Sequence, residues 1–209
     1  MKNKIIIIVI IVVVVVGAAL VGVYFIRHNV PTPSGNQGGT ESDAGTRNPA
    51  NTGQPQSKII TDDFSIDLPV GWKQTSPAMG ASVMAVNANE NINDPASQKI
   101  NFKSYFAVSY DTLKGKSINE YSQTIKDELS RTFPDVVFAK EQDVAINGNS
   151  AHVMEVELTQ QGVNFKILMV AVVGHRDDAW VMSFNTTKSG WDGYKETFSD
   201  VVKSFSLKK

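Results

Sequence analysis

Residues 5–26 read IIIIVIIVVVVVGAALVGVYFI, a run of 22 residues without a charge. As a helix it is roughly 33 Å long, which matches a bilayer hydrocarbon core of about 30 Å. In lipid every backbone N–H must be satisfied within the segment, so a helix is the expected form in spite of the Ile and Val content. A cleaved signal peptide has a shorter apolar core and ends in small residues at the cleavage site. Here Tyr24, Phe25, Ile26 and Arg27 follow instead, the pattern of an interfacial aromatic belt and a charged stop. A pilin-type helix carries an early Glu, but no acidic residue precedes Glu41. The run is therefore expected to be an uncleaved signal-anchor. Lys2 and Lys4 place residues 1–4 in the cytoplasm by the positive-inside rule, with the rest of the chain outside.

Residues 27–57 are dominated by Gly, Pro, Ser, Thr, Asn and Gln. Such a stretch cannot bury enough apolar surface to offset its ordering entropy, and it is expected to be a disordered tether. Thirty flexible residues span roughly 30 Å root-mean-square. This leaves 58–209 as the one segment able to build a core. It holds 16 Lys and Arg against 19 Asp and Glu, a net charge of −3. That balance gives no basis for a nucleic-acid partner. The chain has no cysteine, which excludes disulfides, thiolate metal sites, a cysteine nucleophile and a lipoprotein anchor.

Two helices are expected in 58–209. Over 117–133, Ile118, Tyr121, Ile125, Leu129 and Phe133 recur at helical spacing, Ser117 and Glu120 form a capping box, and Pro134 stops the helix. From about 190 to 204, Trp191, Tyr194, Phe198, Val201 and Phe205 form one stripe, with Ser189 and Asp192 suited to the cap. The remainder alternates as strands: 64–68, near 82–87, 100–110, 136–138, 144–146, 151–158, 163–173 and 179–186. Asn147-Gly148 is a strong hairpin signal. A turn at Gln160-Gln161 would pair Leu158 with Val163, Val156 with Phe165 and Met154 with Ile167, setting Glu155 opposite Lys166. Beyond Leu168 both faces of the 163–173 strand are apolar, as in a strand covered on both sides. The expected fold class is α+β, with a mainly antiparallel sheet.

The segment 58–209 resembles the PsbP-like group, which includes PsbP-related prokaryotic proteins and the LpqN family. The resemblance rests on FSIDLPVGWK from Phe64, the capped helix after the early strands, Asn147-Gly148-Asn149-Ser150-Ala151 before a long antiparallel run, and the closing Val201-Val202-Lys203-Ser204-Phe205. It implies an α/β/α sandwich and proteins that act by binding other proteins, from a photosystem accessory subunit to a Ran-binding protein. Fold alone does not choose among such roles.

No catalytic motif stands out. Gly115-Lys116-Ser117 has the end of a phosphate-binding loop, but the glycine required five residues earlier is Tyr110. His175, Asp177 and Asp178 stand together on one turn and are the best candidates for an acid–base or metal site. His152 is expected to be structural. The polar loop 87–98 lacks the glycine and the terminal glutamate of an EF-hand. Asn185-Thr186-Thr187 matches a glycosylation sequon. The expected function is a non-enzymatic, membrane-tethered extracytoplasmic module that binds an envelope protein, without cofactor or metal. The alternatives are an envelope small-ligand receptor or hydrolase using His175, Asp177 and Asp178, and a structural spacer.

Overall fold

The computed structural model describes residues 57–78 and 80–208. Residues 1–4, the signal-anchor expected over 5–26 and residues 27–56 of the expected tether lie outside the described residues; Ser57, expected as the last residue of the tether, opens the first strand. Among the described residues no helix is long and apolar enough to cross a membrane.

The domain is α+β, and every strand pairing among the described residues is antiparallel. A seven-stranded sheet has the order β3 (Lys73–Thr75), β4 (Ala81–Val86), β5 (Tyr105–Thr112), β9 (Asp178–Thr187), β8 (Val163–Val173), β7 (Asn149–Gln160) and β6 (Val137–Ile146). A second sheet of three strands joins β1 (Ser57–Ile60), β2 (Phe64–Leu68) and β10 (Ser206–Leu207). The helices are a short α1 (Pro95–Lys99), α2 (Ile118–Thr132) and α3 (Trp191–Ser204).

Strand alternation divides the large sheet into two apolar faces. One face carries Met154, Val156, Ile167, Met169 and Val181 and is covered by Tyr121, Ile125 and Leu129 of α2. The other carries Phe106, Val170, Met182 and Phe184. It is covered by Phe198, Val201 and Val202 of α3 and by Phe64 and Ile66 of β2. The second covering layer is thus half helix and half sheet, which the helical pattern alone did not foretell. Phe198 is the centre of its packing, with ring centroids 5.3 Å from Phe184, 5.4 Å from Tyr194, 6.1 Å from Trp191 and 6.2 Å from Trp72.

Helix α2 starts as its sequence dictates. The Ser117 hydroxyl accepts from the Glu120 amide, and the Glu120 carboxylate accepts from the Ser117 amide at 2.8 Å. Helix α3 starts differently. Its cap does not come from Ser189: Thr187 Oγ1 accepts from the Gly190 amide at 3.1 Å and closes a 3-10 turn, Lys188–Gly190, ahead of the helix. The hairpin between β7 and β8 is also shifted by two residues from the expected register. Its turn is Gln161-Gly162, both with positive φ (52° and 78°), and it pairs Gln160 with Val163, Leu158 with Phe165, Val156 with Ile167 and Glu157 with Lys166. A two-residue turn of the I′ type needs left-handed backbone at both central positions, and Gly162 supplies it at least cost. Because the slip is two residues, every side chain keeps its face. The strands expected over 136–138 and 144–146 are parts of one continuous strand, β6, which begins at Val137 and bulges between Phe138 and Lys140. The strand expected over 100–110 begins only at Tyr105, since 95–99 is helical.

Candidate functional site

Helix α3 covers β8 and β9 but stops short of β6. The stripe Trp191, Lys195, Ser199, Val202 and Lys203 forms one wall of a groove of about 460 Å3. Lys140, Gln142, Val144 and Ile146 of β6 form the opposite wall, with Val153, Glu155 and Leu168 on the floor. One end is closed by the β6–β7 turn, where Asn147 Nδ2 donates to the carbonyls of Lys203 (3.0 Å) and Phe205 (2.7 Å). That contact fixes the end of α3 to the β6–β7 turn. At the other end Lys166 Nζ lies 4.8 Å above the Trp191 ring and 3.0 Å from Glu155 Oε2. Burial acts to lower the Lys166 pKa, but the carboxylates of Glu155 and Glu157 outweigh it and hold the amine above its ordinary value. Lys166 is therefore a fixed positive charge and a brace for the Trp191 ring.

The groove combines apolar surface (Val144, Val153, Leu168, Trp191, Val202) with Lys140, Lys195 and Lys203 around it and Glu155 as the sole acid in its lining. Its volume falls in the range of about 300–1,000 Å3 usual for binding pockets, and its walls are apolar with a few charges, as in such sites.

The three turn residues singled out in the sequence do not converge. His175 Nε2 lies 2.7 Å from the Lys208 carbonyl and holds the C-terminal strand. Asp177 accepts from the amides of Lys114 (3.0 Å) and Gly115 (2.9 Å). Asp178 accepts from the Tyr110 hydroxyl at 2.8 Å, and this bond raises the Tyr110 pKa. Each side chain staples a different segment. Among the described residues no group of three or more His, Asp or Glu side chains is placed to hold a metal ion. Gly115 and Ser117 are likewise committed, one to Asp177 and the other to capping α2.

The loop 87–98 uses its oxygens internally. Asp94 accepts from the amide of Ser97 at 2.7 Å and caps α1. Glu90 accepts from the Ser104 amide at 2.5 Å and from the Lys103 ammonium through its backbone carbonyl. Asn87 Nδ2 donates to Tyr194 Oη at 2.8 Å, which ties the loop to α3. Burial, with Glu90 beside it, pushes the Tyr194 phenol up to about 12. Asn185 of the sequon is 2% exposed within β9, so no glycan can be attached there in the folded domain.

His152 is structural, as expected, and lies under α2. Its Nδ1 is 2.7 Å from Asp143 Oδ1 and its Nε2 is 3.4 Å from Glu141 Oε2. Lys126 of α2 donates to Glu141 at 2.6 Å, and Asn119 donates to Asp143 at 3.0 Å. These bonds clamp α2 to β6. Lys126, first, and His152 hold Glu141 below its ordinary pKa; His152, first, and Asn119 do so for Asp143. Carboxylates with depressed folded pKa values contribute stability that is complete above their unfolded values and is lost as pH falls through the folded ones. Lys126→Met should therefore lower the thermal midpoint at pH 7, and the difference from the parent chain should shrink below about pH 4. A difference that stays constant down to pH 2 would show that Lys126 acts through packing alone.

The groove residues carried no motif. Trp191 reads in the sequence as a core residue, and Val153, Glu155 and Glu157 read as a mixed outward face. The available signal was that mixture: Lys140, Gln142, Glu155 and Glu157 stand on the same side of β6 and β7 as Val144 and Val153, the side of the sheet on which α3 packs. Charges there mean that the helix does not cover that part of it.

No protein-family model matches the chain, and comparison with curated proteins finds no match. Solved structures do match. The cyanobacterial PsbP protein CyanoP from Synechocystis is similar over 78% of this chain and 98% of its own, with a TM-score of 0.53 at 12% identity. LpqN of Mycobacterium tuberculosis, involved in cell envelope biogenesis, is similar over 76% of this chain and 88% of its own, with a TM-score of 0.55 at 12% identity. The fold is PsbP-like. The Ran-binding protein Mog1p of Saccharomyces cerevisiae shares this PsbP-like fold over 73% of this chain and 95% of its own, with a TM-score of 0.52 at 13% identity. At such identities the likeness speaks for the fold, and the function must be argued from the groove.

Proposed function

We propose that this chain is a membrane-tethered, extracytoplasmic protein-binding module with an accessory role, docking its partner in the groove between α3 and β6. The observation that carries this reading is the groove itself: apolar walls from two different elements, left open because the helix is narrower than the sheet, with three lysines in its lining. The apolar run 5–26 and the polar segment after it supply the tether and the reach. The Ran-binding Mog1p and the envelope-biogenesis protein LpqN lend support as proteins of the same fold. The receptor or hydrolase alternative loses its site, since His175, Asp177 and Asp178 are engaged separately.

The chain has no native cysteine, so a single introduced one can be labelled cleanly. Gln123→Cys, exposed on α2, and Ser199→Cys, in the groove wall, are to be treated with a membrane-impermeant maleimide in intact spheroplasts. Gln123→Cys should label readily from outside. Ser199→Cys should label more slowly in native membranes than in the purified full chain, because a partner covers it. Protection of Gln123→Cys until the cells are lysed would refute the orientation. Equal labelling of Ser199→Cys in both settings would refute occupancy of the groove.

A further inference from the structure

Strand β6 forms one wall of the groove and is also the edge of the seven-stranded sheet. Among the described residues no strand pairs with it on the side away from β7. The loop joining β6 to β7 is two residues, Asn147-Gly148, so Ile146 and Asn149 flank it as a hydrogen-bonded pair and the pattern alternates from there. Val144, Gln142 and Lys140 then aim their N–H and C=O groups at β7. Ala145, Asp143 and Glu141 aim theirs outward, until the bulge after Phe138 interrupts the ladder. The outward groups have the repeat of a strand with no neighbour, which is the template for strand addition.

The same strand turns the side chains of Lys140, Gln142 and Val144 into the groove. A strand laid beside β6 would lie about 4.8 Å from it, and its long side chains on that face would reach across Val144 toward Val153 and Leu168. The charges around that position are biased. Within a domain of net charge −3, the groove lining holds three lysines and one glutamate. Lys140 has no ion pair among the described residues. Among the described residues Lys195 and Lys203 pair only with Asp192 (2.9 Å) and Asp200 (3.1 Å) in open solvent, contacts that hold them weakly.

We propose that β6 and the groove together take an extended, acidic segment of a partner protein, added as a further strand of the sheet. The side chains at its groove-facing alternate positions do both: apolar ones fill the groove over Val144, Val153 and Leu168, and carboxylates on that same face meet Lys140, Lys195 and Lys203. This rests on the groove being the docking surface and specifies its occupant. A peptide is favoured over a lipid or a small anion because only a peptide brings N–H and C=O groups in register with the free edge.

The test uses the full-length chain in detergent micelles, a displayed library of random linear peptides as probe, and hydrogen exchange on the complex with a selected peptide. Selected peptides should carry apolar and acidic residues together at one set of alternate positions, the set that faces the groove. Binding should slow exchange at the amides of Glu141, Asp143 and Ala145 while leaving those of Gln142 and Val144, already paired, unchanged. Lys140→Glu combined with Lys203→Glu should weaken binding about tenfold or more with the protection of β8 intact. Selected peptides without acidic bias, no selected peptide at all, or no new protection in β6 would overturn the proposal. Protection confined to α3 would overturn strand addition yet leave groove docking standing; protection in neither element would overturn both. Protection of β6 without peptide, in a chain that runs as a dimer, would show that the edge serves a second copy and would also overturn the proposal.

Discussion

Phe198→Ala should cost about 3–5 kcal/mol and lower the thermal midpoint of the domain by roughly 10 °C or more. The side chain is fully buried and stands against Trp72, Phe184, Trp191 and Tyr194. Truncation removes the ring's transfer energy and leaves a cavity that these four large rings cannot collapse to fill. With a total stability of about 5–15 kcal/mol for a domain of this size, that loss is a large fraction. Phe198→Leu, which keeps most of the volume, should cost much less. Thermal denaturation of the full chain followed by circular dichroism measures both. Equal midpoints for Phe198→Ala and the parent would mean that α3 is not packed as described. The same substitution should loosen the α3 wall of the groove and weaken partner binding, although Phe198 is not among the groove residues.

Deletion of residues 5–26 should move the chain from the membrane fraction to the soluble fraction almost completely. On insertion scales each Ile, Val or Leu of such a run contributes about −0.3 to −0.6 kcal/mol, so the 16 of them in this run would together hold the chain by roughly 5–10 kcal/mol. A groove-bound partner does not replace that, since a single protein contact of micromolar affinity is worth about 8 kcal/mol only at standard concentration. Fractionation followed by a carbonate wash reads the result. Retention of the shortened chain after the wash would show that the run is not what holds the protein to the membrane.

Local chemistry was the legible part of this fold. The capping box of Ser117 and Glu120 is written in adjacent residues and forms as expected. The alternation in 151–158 and 163–173 fixed which side chains face α2, because a period of two allows only two answers. The exact register did not follow from it. Gln160-Gln161-Gly162 permits turns at two positions, and the backbone chose the one that puts positive φ at Gln161 and Gly162. The small sheet was hidden for another reason: β2 pairs with β10, some 140 residues later, and nothing local to Phe64 or Ser206 announces that. Helix α3 starts where its stripe placed it, but the cap was misplaced by two residues because Thr187 and Ser189 are both good caps in isolation; Thr187, fixed at the end of β9, is the one held in position. The groove was the least legible feature, since it arises from the width of α3 relative to the sheet. His175, Asp177 and Asp178 drew notice for their chemistry, and the structure uses each to hold a separate segment.

Site-specific photocrosslinking in intact cells tests the docking claim most directly. A photoreactive residue is placed in the full-length chain at Gln142 or Ser199, on the two walls of the groove, and at Gln123 on the opposite helix. Both groove positions should yield the same discrete adduct with one partner protein, and that adduct should be lost in the Lys140→Glu, Lys203→Glu chain, while Gln123 yields none. An adduct of equal intensity at Gln123, or adducts at the groove positions that the charge reversals leave unchanged, would contradict docking in the groove.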